Sequence, residues 1–267
     1  MLCYGSVQRL ALILLVSGFF RASAWGPEGH SLVARLAEAR LTPAAAAKVK
    51  EILDPGATLP SISSWADQVR NVRRETASWH FIDIPISQPH LDMARDCPKG
   101  ECVIVKIEDF RKVLADPGAS PVQRKEALMF LVHFVGDMHQ PLHCSDNKDR
   151  GGNEVRLDLF GHNTNLHSVW DSGLLGRMPS QDTLFAQMSK DLTDGRAKKW
   201  GKGTARDWAE ELHAASVKVV YGKLPKAPAG GEIHITPQYE KAADRLIRQE
   251  IEKAGARLAA VLNEALK

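Results

Sequence analysis

The run PVQRKEALMFLVHFVGDMHQPLH, residues 121–143, decides how this chain folds. Its apolar residues recur at helical spacing and predict a central helix over 121–138. Similar periodicity recurs on both sides, at 32–37, 43–53, 62–72, 103–115, 181–192, 204–221 and from 236 onward. Only Val155, Leu157 and Leu159 alternate with polar residues, as in a strand or hairpin arm. We expect a mainly α, single compact multi-helix domain with one or two short β segments.

The same run carries a pattern of imidazole and carboxylate side chains. His133 and Asp137 are four residues apart, so a helix places both on one face. Pro141 ends the helix and lets His143 turn back towards the same space. His167 and Asp171 repeat the four-residue spacing further along the chain.

Asp67 and His80 extend this set on the amino-terminal side. Imidazole combined with carboxylate suits zinc, and carboxylates can bridge two ions. A single His–Asp pair is more often a structural hydrogen bond. A buried cluster of carboxylates and imidazoles without metal would, however, be costly to desolvate. The full set therefore predicts a polynuclear metal site.

Residues 1–24 have the features of a cleaved secretory signal. A basic residue, Arg9, precedes an apolar run over 10–20, and Ala22-Ser-Ala24 provides a cleavage site. The apolar run is too short to span a bilayer. Cleavage would leave one domain, residues 25–267, secreted or periplasmic and without stable membrane association. Its free amine would belong to Trp25, five residues before His30, and we expect that terminus to hold a metal ion.

Composition limits the class of partner. Without Arg9 and Arg21 the chain has 33 Lys and Arg against 32 Asp and Glu, which argues against an extended basic surface for double-stranded DNA. Cysteine is sparse. In an exported protein Cys97 and Cys102 could close a small loop, while pairings through Cys144 stay open.

Six motifs occur in order between Trp25 and Asp171: W-G-x-x-G-H, W-A-D, W-H-F, H-F-x-G-D-x-H-Q-P-L-H, G-G-N and N-L-H-x-x-W-D. In these motifs the chain resembles the secreted trinuclear-zinc single-strand nucleases of fungi, plants and bacteria, which are also 3′-nucleotidases. The long H-F-x-G-D-x-H-Q-P-L-H run makes the resemblance specific. It implies the helical fold that these nucleases share with zinc-dependent phospholipase C.

The resemblance implies three zinc ions and assigns their ligands. One ion would bind Asp67, His80, His133 and Asp137; a second would bind His143, His167 and Asp171; the third would bind the amine and carbonyl of Trp25, His30 and the bridging Asp137. His139 matches a residue that is not a ligand. Asp67 would also orient the nucleophile, and Arg70, one helical turn later, would stabilise phosphate charge.

A base-binding pocket is expected beside the metals. In an extended segment Phe81 and Asp83 both point away from the face of His80, so one can stack on a base and the other can accept its N–H groups. The alternative is that Phe81 belongs to the core. Gly152 and Asn153 would approach the base from the other side. The resemblance implies that a monomer cleaves single-stranded DNA, RNA and 3′-mononucleotides, with 5′-phosphate products from the polymers.

Two other functions fit part of the pattern. A zinc-dependent phospholipase C has a related site, but the base pocket argues against it, and Asp171 stands where Glu is expected. A non-enzymatic periplasmic zinc-binding protein would not need Arg70. Assays on nucleic acid, 3′-AMP and phosphatidylcholine separate these functions.

Overall fold

A computed structural model describes residues 25–229 and 231–267, so the predicted signal sequence lies outside the described residues. The described chain forms twelve α-helices: α1 Pro27–Glu38, α2 Pro43–Ile52, α3 Leu59–Ile62, α4 Trp65–Val69, α5 Met93–Asp96, α6 Val103–Ala115, α7 Pro121–Met138, α8 Leu166–Ser168, α9 Gln181–Asp191, α10 Asp194–Trp200, α11 Ala205–Ala215 and α12 Pro237–Ala265. The strands are β1 Arg156–Leu159, β2 His162–Asn165 and β3 Ile233–His234.

Helix α7 lies at the centre of the fold, as its sequence predicts. Ser120 and Gln123 form a capping box at its start, with Pro121 in the first turn. Every residue from Ala127 to Met138 is buried. Helices α6, α12, α1 and α4 pack around it. Because α7 is enclosed on all sides from Ala127 onward, the polar residues of that part must find partners in the interior.

The long helix α12 is joined to α7 through buried charges. Arg257 donates to Nε2 of His139 at 2.8 Å and also contacts Glu211. His139 in turn contacts the carbonyl of Val135 at 2.7 Å through Nδ1. His139 is thus a buried structural residue, consistent with its prediction as a non-ligand.

The small sheet positions one part of the polar interior. Strand β1 pairs antiparallel with β2, from Arg156↔Asn165 to Leu159↔His162, and parallel with β3. Asn165 then caps α8, accepting from the amide of Ser168 at 2.8 Å. A π-helical turn over Val169–Gly173 follows directly. The hairpin therefore delivers the chain to the segment that carries His167 and Asp171.

The expected mainly α domain is confirmed, with a third strand of two residues beyond the one or two β segments predicted. The helix predicted over 62–72 is not continuous: α3 ends at Ile62 and α4 covers only Trp65–Val69. Helix α10 was not predicted. The segment predicted as extended from Trp79 begins only at Phe81, because Arg74–His80 forms a 3-10 helix. The Cys97–Cys102 disulfide is confirmed, and Cys144 is a buried free thiol. Across the described ranges, no helix has the length and apolar character needed to cross a membrane.

Candidate metal centre

The two polar residues in the buried part of α7 lie on one face, as their spacing predicts. His133 Nε2 is 3.3 Å from Asp137 Oδ2, and both side chains are fully buried. Helix α1 approaches this face closely at Gly136. A Cβ there would lie 2.7 Å from Nδ1 of His30, so glycine makes room for that imidazole. The rings of His30 and His133 stack at 3.9 Å between centroids.

The predicted histidines and aspartates form three groups that could each hold a metal ion: His30, His133 and Asp137; Asp67, His80 and His133; and His143, His167 and Asp171. The first two groups share His133. Asp137 lies between all three, with its carboxylate oxygens 3.4 Å from His30 Nε2, 2.8 Å from His80 Nδ1 and 4.0 Å from His143 Nδ1. A single carboxylate is therefore placed to bridge ions.

Three of the histidines are oriented through the ring nitrogen that faces away from their group. The Nδ1 atoms of His133, His143 and His167 lie 2.7, 2.8 and 2.7 Å from the backbone carbonyls of Ser63, His80 and Gly151. A carbonyl can only accept, so each Nδ1 carries a proton, and in the neutral ring Nε2 holds the lone pair that a metal ion would use. This is the arrangement by which proteins prepare imidazole to bind a metal ion.

Several of the atoms that face the groups have no hydrogen bond. Among the described residues, buried atoms that lack a hydrogen-bond partner include both ring nitrogens of His30, Nε2 of His80 and His133, Oδ1 of Asp137 and Oδ2 of Asp171. Each unsatisfied buried polar atom costs about 1–3 kcal/mol. Their concentration in one place fits a cation site, since a divalent ion would satisfy imidazole and carboxylate together.

The electrostatics point in the same direction. Burial lowers the pKa of His143 to about 3, which leaves a neutral imidazole. Burial raises the pKa of Asp171 well above its usual range. For Asp137, burial favours a higher pKa, but the charges of His133 and His80 bring that pKa well below the ordinary value. Asp137 is therefore ionised beside the imidazoles, whereas Asp171 needs additional positive charge nearby to become ionised.

The segment that precedes α1 packs against the third group. Trp25 is completely buried, and the amide of Gly26 donates to the carbonyl of Asp171 at 2.8 Å. Gly29 permits this packing, because a Cβ there would lie 2.6 Å from Cβ of Trp25. The backbone at Trp25 is therefore anchored to a candidate ligand segment, while its own role as a ligand stays a prediction.

Arg70 lies beside Asp67, as expected from one turn of helix. Its Nη2 atom is 3.4 Å from Asp67 Oδ1, and both side chains are mostly buried. Burial lowers the pKa of His167, and the charge of Arg70 lowers it further. Arg70 therefore acts electrostatically on the group across the site as well as on its own helix.

Phe81 and Asp83 lie on the outer side of an extended segment. Its inner residues, Ile82 and Ile84, are buried. The backbone N–H of Ile82 donates at 2.8 Å to the carbonyl of His143, which lies in a short 3-10 helix. Phe81 is 37% exposed, so it is not a core residue. With Asp83 it lines a cavity of about 310 Å³ bordered by the Cys97–Cys102 disulfide.

The loop that contains Gly152 and Asn153 also contains two carboxylates that act on Asp83. Although the side chain of Asp83 reaches solvent, partial burial and the nearby carboxylates of Asp146, Asp96 and Asp149 raise its pKa to about 6. Asp146 and Asp149 belong to the same loop as Gly152, whose amide donates to Asp149 Oδ1 at 2.8 Å. Asn153 Nδ2 donates to the carbonyl of Arg150 at 2.9 Å. That Gly152 and Asn153 form the second wall of a base pocket stays a prediction.

Sequence reasoning overlooked Gln140, which is fully buried and donates to Asp171. Its position between His139 and Pro141 in the long motif was the available signal. The remaining histidines lie outside the three groups: His162 is exposed on β2, and His213 contacts Ser145 and the carbonyl of Gln88.

Comparison with known proteins identifies the family. A sequence profile described as S1/P1 Nuclease matches residues 25–267. Nuclease P1 of Penicillium citrinum is 34% identical over 265 residues, covering 90% of this chain and 97% of that protein. Endonuclease 2 of Arabidopsis thaliana is 29% identical over 90% of this chain and 89% of its own length. Nuclease S1 of Aspergillus oryzae is 33% identical over 63% of this chain and 58% of its own length. This chain therefore belongs to the S1/P1 nuclease family and is a hydrolase that acts on phosphodiester bonds.

Proposed function

We propose that this protein is a monomeric zinc-dependent nuclease that cleaves single-stranded DNA and RNA to 5′-phosphate products and removes phosphate from 3′-mononucleotides. The observation that carries the proposal is the set of three His/Asp groups around Asp137. The ligand set is the one expected from the resemblance: Trp25, His30, Asp67, His80, His133, Asp137, His143, His167 and Asp171.

Zinc supplies two kinds of chemistry in such sites: it neutralises phosphate charge, and it lowers the pKa of bound water to about 7. The protein's own groups then position the reactants. Asp67 orients the attacking water through its carboxylate. Arg70, 3.4 Å from Asp67, stabilises the charge that develops on the phosphate.

Substrate choice follows from the exposed pocket beside this centre. Phe81 presents its ring to solvent and stacks on an unpaired base, which tolerates any base identity. Asp83 accepts hydrogen bonds from the base, and Gly152 and Asn153 contact it from the opposite wall. A base within a duplex is stacked on both sides and cannot enter, which supports a preference for single strands.

The decisive experiment compares substrates at equal zinc. Purified protein should hydrolyse single-stranded DNA, RNA and 3′-AMP, act weakly on duplex DNA and leave phosphatidylcholine intact. Elemental analysis should find close to three zinc ions per chain. Full nuclease activity in a metal-free preparation, or hydrolysis of phosphatidylcholine alone, would contradict the proposal.

We also propose that residues 1–24 are a cleaved signal and that cleavage completes the ligand set. Before cleavage the nitrogen of Trp25 is a planar amide without a basic lone pair. After cleavage it is an amine with an ordinary pKa of about 7.7–8.0, next to the carbonyl with which it would chelate an ion. The protein would then be secreted or periplasmic, and before export it would lack one ion and most of its activity.

This proposal is tested at the terminus itself. A chain beginning at Trp25 should bind one more zinc ion, and be far more active, than the same chain with one additional Gly before Trp25. Equal zinc content and equal rates would show that Trp25 only fills space in the core.

A further inference from the structure

Gln140 occupies a position in the interior that the predicted ligand set leaves unexplained. It follows the last turn of α7 directly and is fully buried. Its side chain forms two short hydrogen bonds. Nε2 donates to Oδ1 of Asp171 at 2.6 Å, and Oε1 accepts from the amide of Leu142 at 2.6 Å.

The orientation of this amide is fixed by its partners. The backbone N–H of Leu142 can only donate, so it must meet Oε1 of Gln140. Nε2 then has to face Asp171, and because an amide nitrogen can only donate, Oδ1 of Asp171 accepts from it. The assignment of oxygen and nitrogen in Gln140 is therefore determined by chemistry.

The consequence appears on the two oxygens of Asp171. Oδ1 is occupied by Gln140, whereas Oδ2 is buried, has no hydrogen-bond partner among the described residues and lies 3.4 Å from Nε2 of His167. Without a donor on Oδ1 the carboxylate could rotate about its last bond and turn either oxygen, or both, away from the group.

Gln140 also reaches the other side of the same group. Leu142 lies in the short 3-10 helix Pro141–Cys144, and Gln140 caps the start of that helix. His143 belongs to this helix. One side chain thus holds the backbone that presents His143 and the carboxylate of Asp171, which are 28 residues apart in the chain.

We propose that Gln140 is a positioning residue that aligns Asp171 and His143 for one metal ion of the centre. This inference rests on the proposed zinc centre. Residues that hydrogen-bond to metal ligands typically contribute 10–100-fold to metal affinity. Loss of the donor should weaken the binding of one ion by that factor. The metal affinity of the groups around Asp67 and His30 should stay unchanged.

The test measures zinc affinity directly, by competition with a chromogenic chelator, together with zinc content by elemental analysis. Gln140→Glu is the deciding variant, because it keeps the volume and the acceptor for Leu142 but replaces the donor to Asp171. Gln140→Met removes both hydrogen bonds. Gln123→Met is the matched control, since Gln123 also accepts from a backbone amide, that of Ser120 at 2.9 Å, but at the opposite end of α7.

We expect both Gln140 variants to bind one of three zinc ions 10–100-fold more weakly, with excess zinc restoring the full count. Gln123→Met should lose thermal stability and keep its zinc affinity. If wild-type protein binds three zinc ions and Gln140→Glu binds them equally tightly, the positioning role is wrong. If wild-type protein binds no zinc, the proposed function fails and this assignment fails with it.

Discussion

Replacing Gly152 by alanine tests why the loop beside the candidate metal centre has glycine at this position. Either a side chain would collide with its neighbours, or only the left-handed backbone conformation requires glycine. Gly152 has φ of 82°, a left-handed conformation. A Cβ there would lie 3.2 Å from Leu166 Cβ and 3.3 Å from the backbone nitrogen of His167. Gly161, in the turn between β1 and β2, has a similar φ of 92° but nothing within 4 Å of its added Cβ. It is therefore the matched control.

The expected loss of stability is the sum of a backbone contribution and a crowding contribution to the free energy of unfolding. Placing alanine at left-handed φ costs about 1–2 kcal/mol, and this cost is common to both sites. Crowding against a packed interior adds about 1–3 kcal/mol, and this cost applies only to Gly152. In a chain of this size each kcal/mol lowers Tm by roughly 2–4 °C. We expect Gly152→Ala to melt below Gly161→Ala by roughly 2–12 °C.

Activity should separate the variants further. The carbonyl of Gly152 accepts from the amide of His167 at 3.3 Å, so a displaced loop moves a candidate ligand along with Asn153. Gly152→Ala should therefore lose zinc and nuclease activity, whereas Gly161→Ala should keep both. The assays are thermal unfolding by circular dichroism, zinc analysis and cleavage of single-stranded DNA. Equal melting temperatures and equal zinc contents in the two variants would refute the reasoning.

Three further outcomes are expected. Removal of metal by chelation should lower both Tm and activity, because metal-binding energy is also folding energy, and zinc should restore both. Phe81→Ala should raise KM by the roughly 5–150-fold equivalent to a stacking loss of about 1–3 kcal/mol, with zinc content intact; an unchanged KM would argue against stacking. Arg70→Ala should mainly lower kcat, while Arg74→Ala, at an exposed position, should not; an unaffected kcat on polymer and mononucleotide would remove Arg70 from the mechanism.

Helical spacing was sufficient to predict the central part of this architecture. The bounds of α6 and α7 agree with the sequence pattern, because α6 has an apolar face and α7 is a long apolar run that starts at a Ser-Pro cap. The i, i+4 pairs His133/Asp137 and His167/Asp171 were predicted correctly to share a face. In the second pair the backbone is partly π-helical, yet the side chains still lie 3.4 Å apart. Residues four apart thus share a face even where the helix is not purely α-helical.

Long-range placement was predictable only through the resemblance. Nothing in the spacing of Asp67, His80 and His133 indicates that they share one group, because the elements that carry them meet through packing around α7. The contact of His30 with this group depends on the close approach of α1 at Gly136. A glycine inside a helix gives no information about which partner fills the space it leaves.

The breaks in regular structure were the least predictable features, and they are the ones that orient the site. A continuous helix over 62–72 would have used the carbonyl of Ser63 in its own hydrogen bonds; the break between α3 and α4 leaves it to accept from His133. His80 offers its carbonyl to His143 at the end of a 3-10 helix, and Gly151 offers its carbonyl to His167 from a left-handed loop. Each imidazole is thus anchored by a carbonyl that no helix uses. Apolar periodicity predicts where regular helices lie. It does not predict the carbonyls outside the helices that orient these imidazoles.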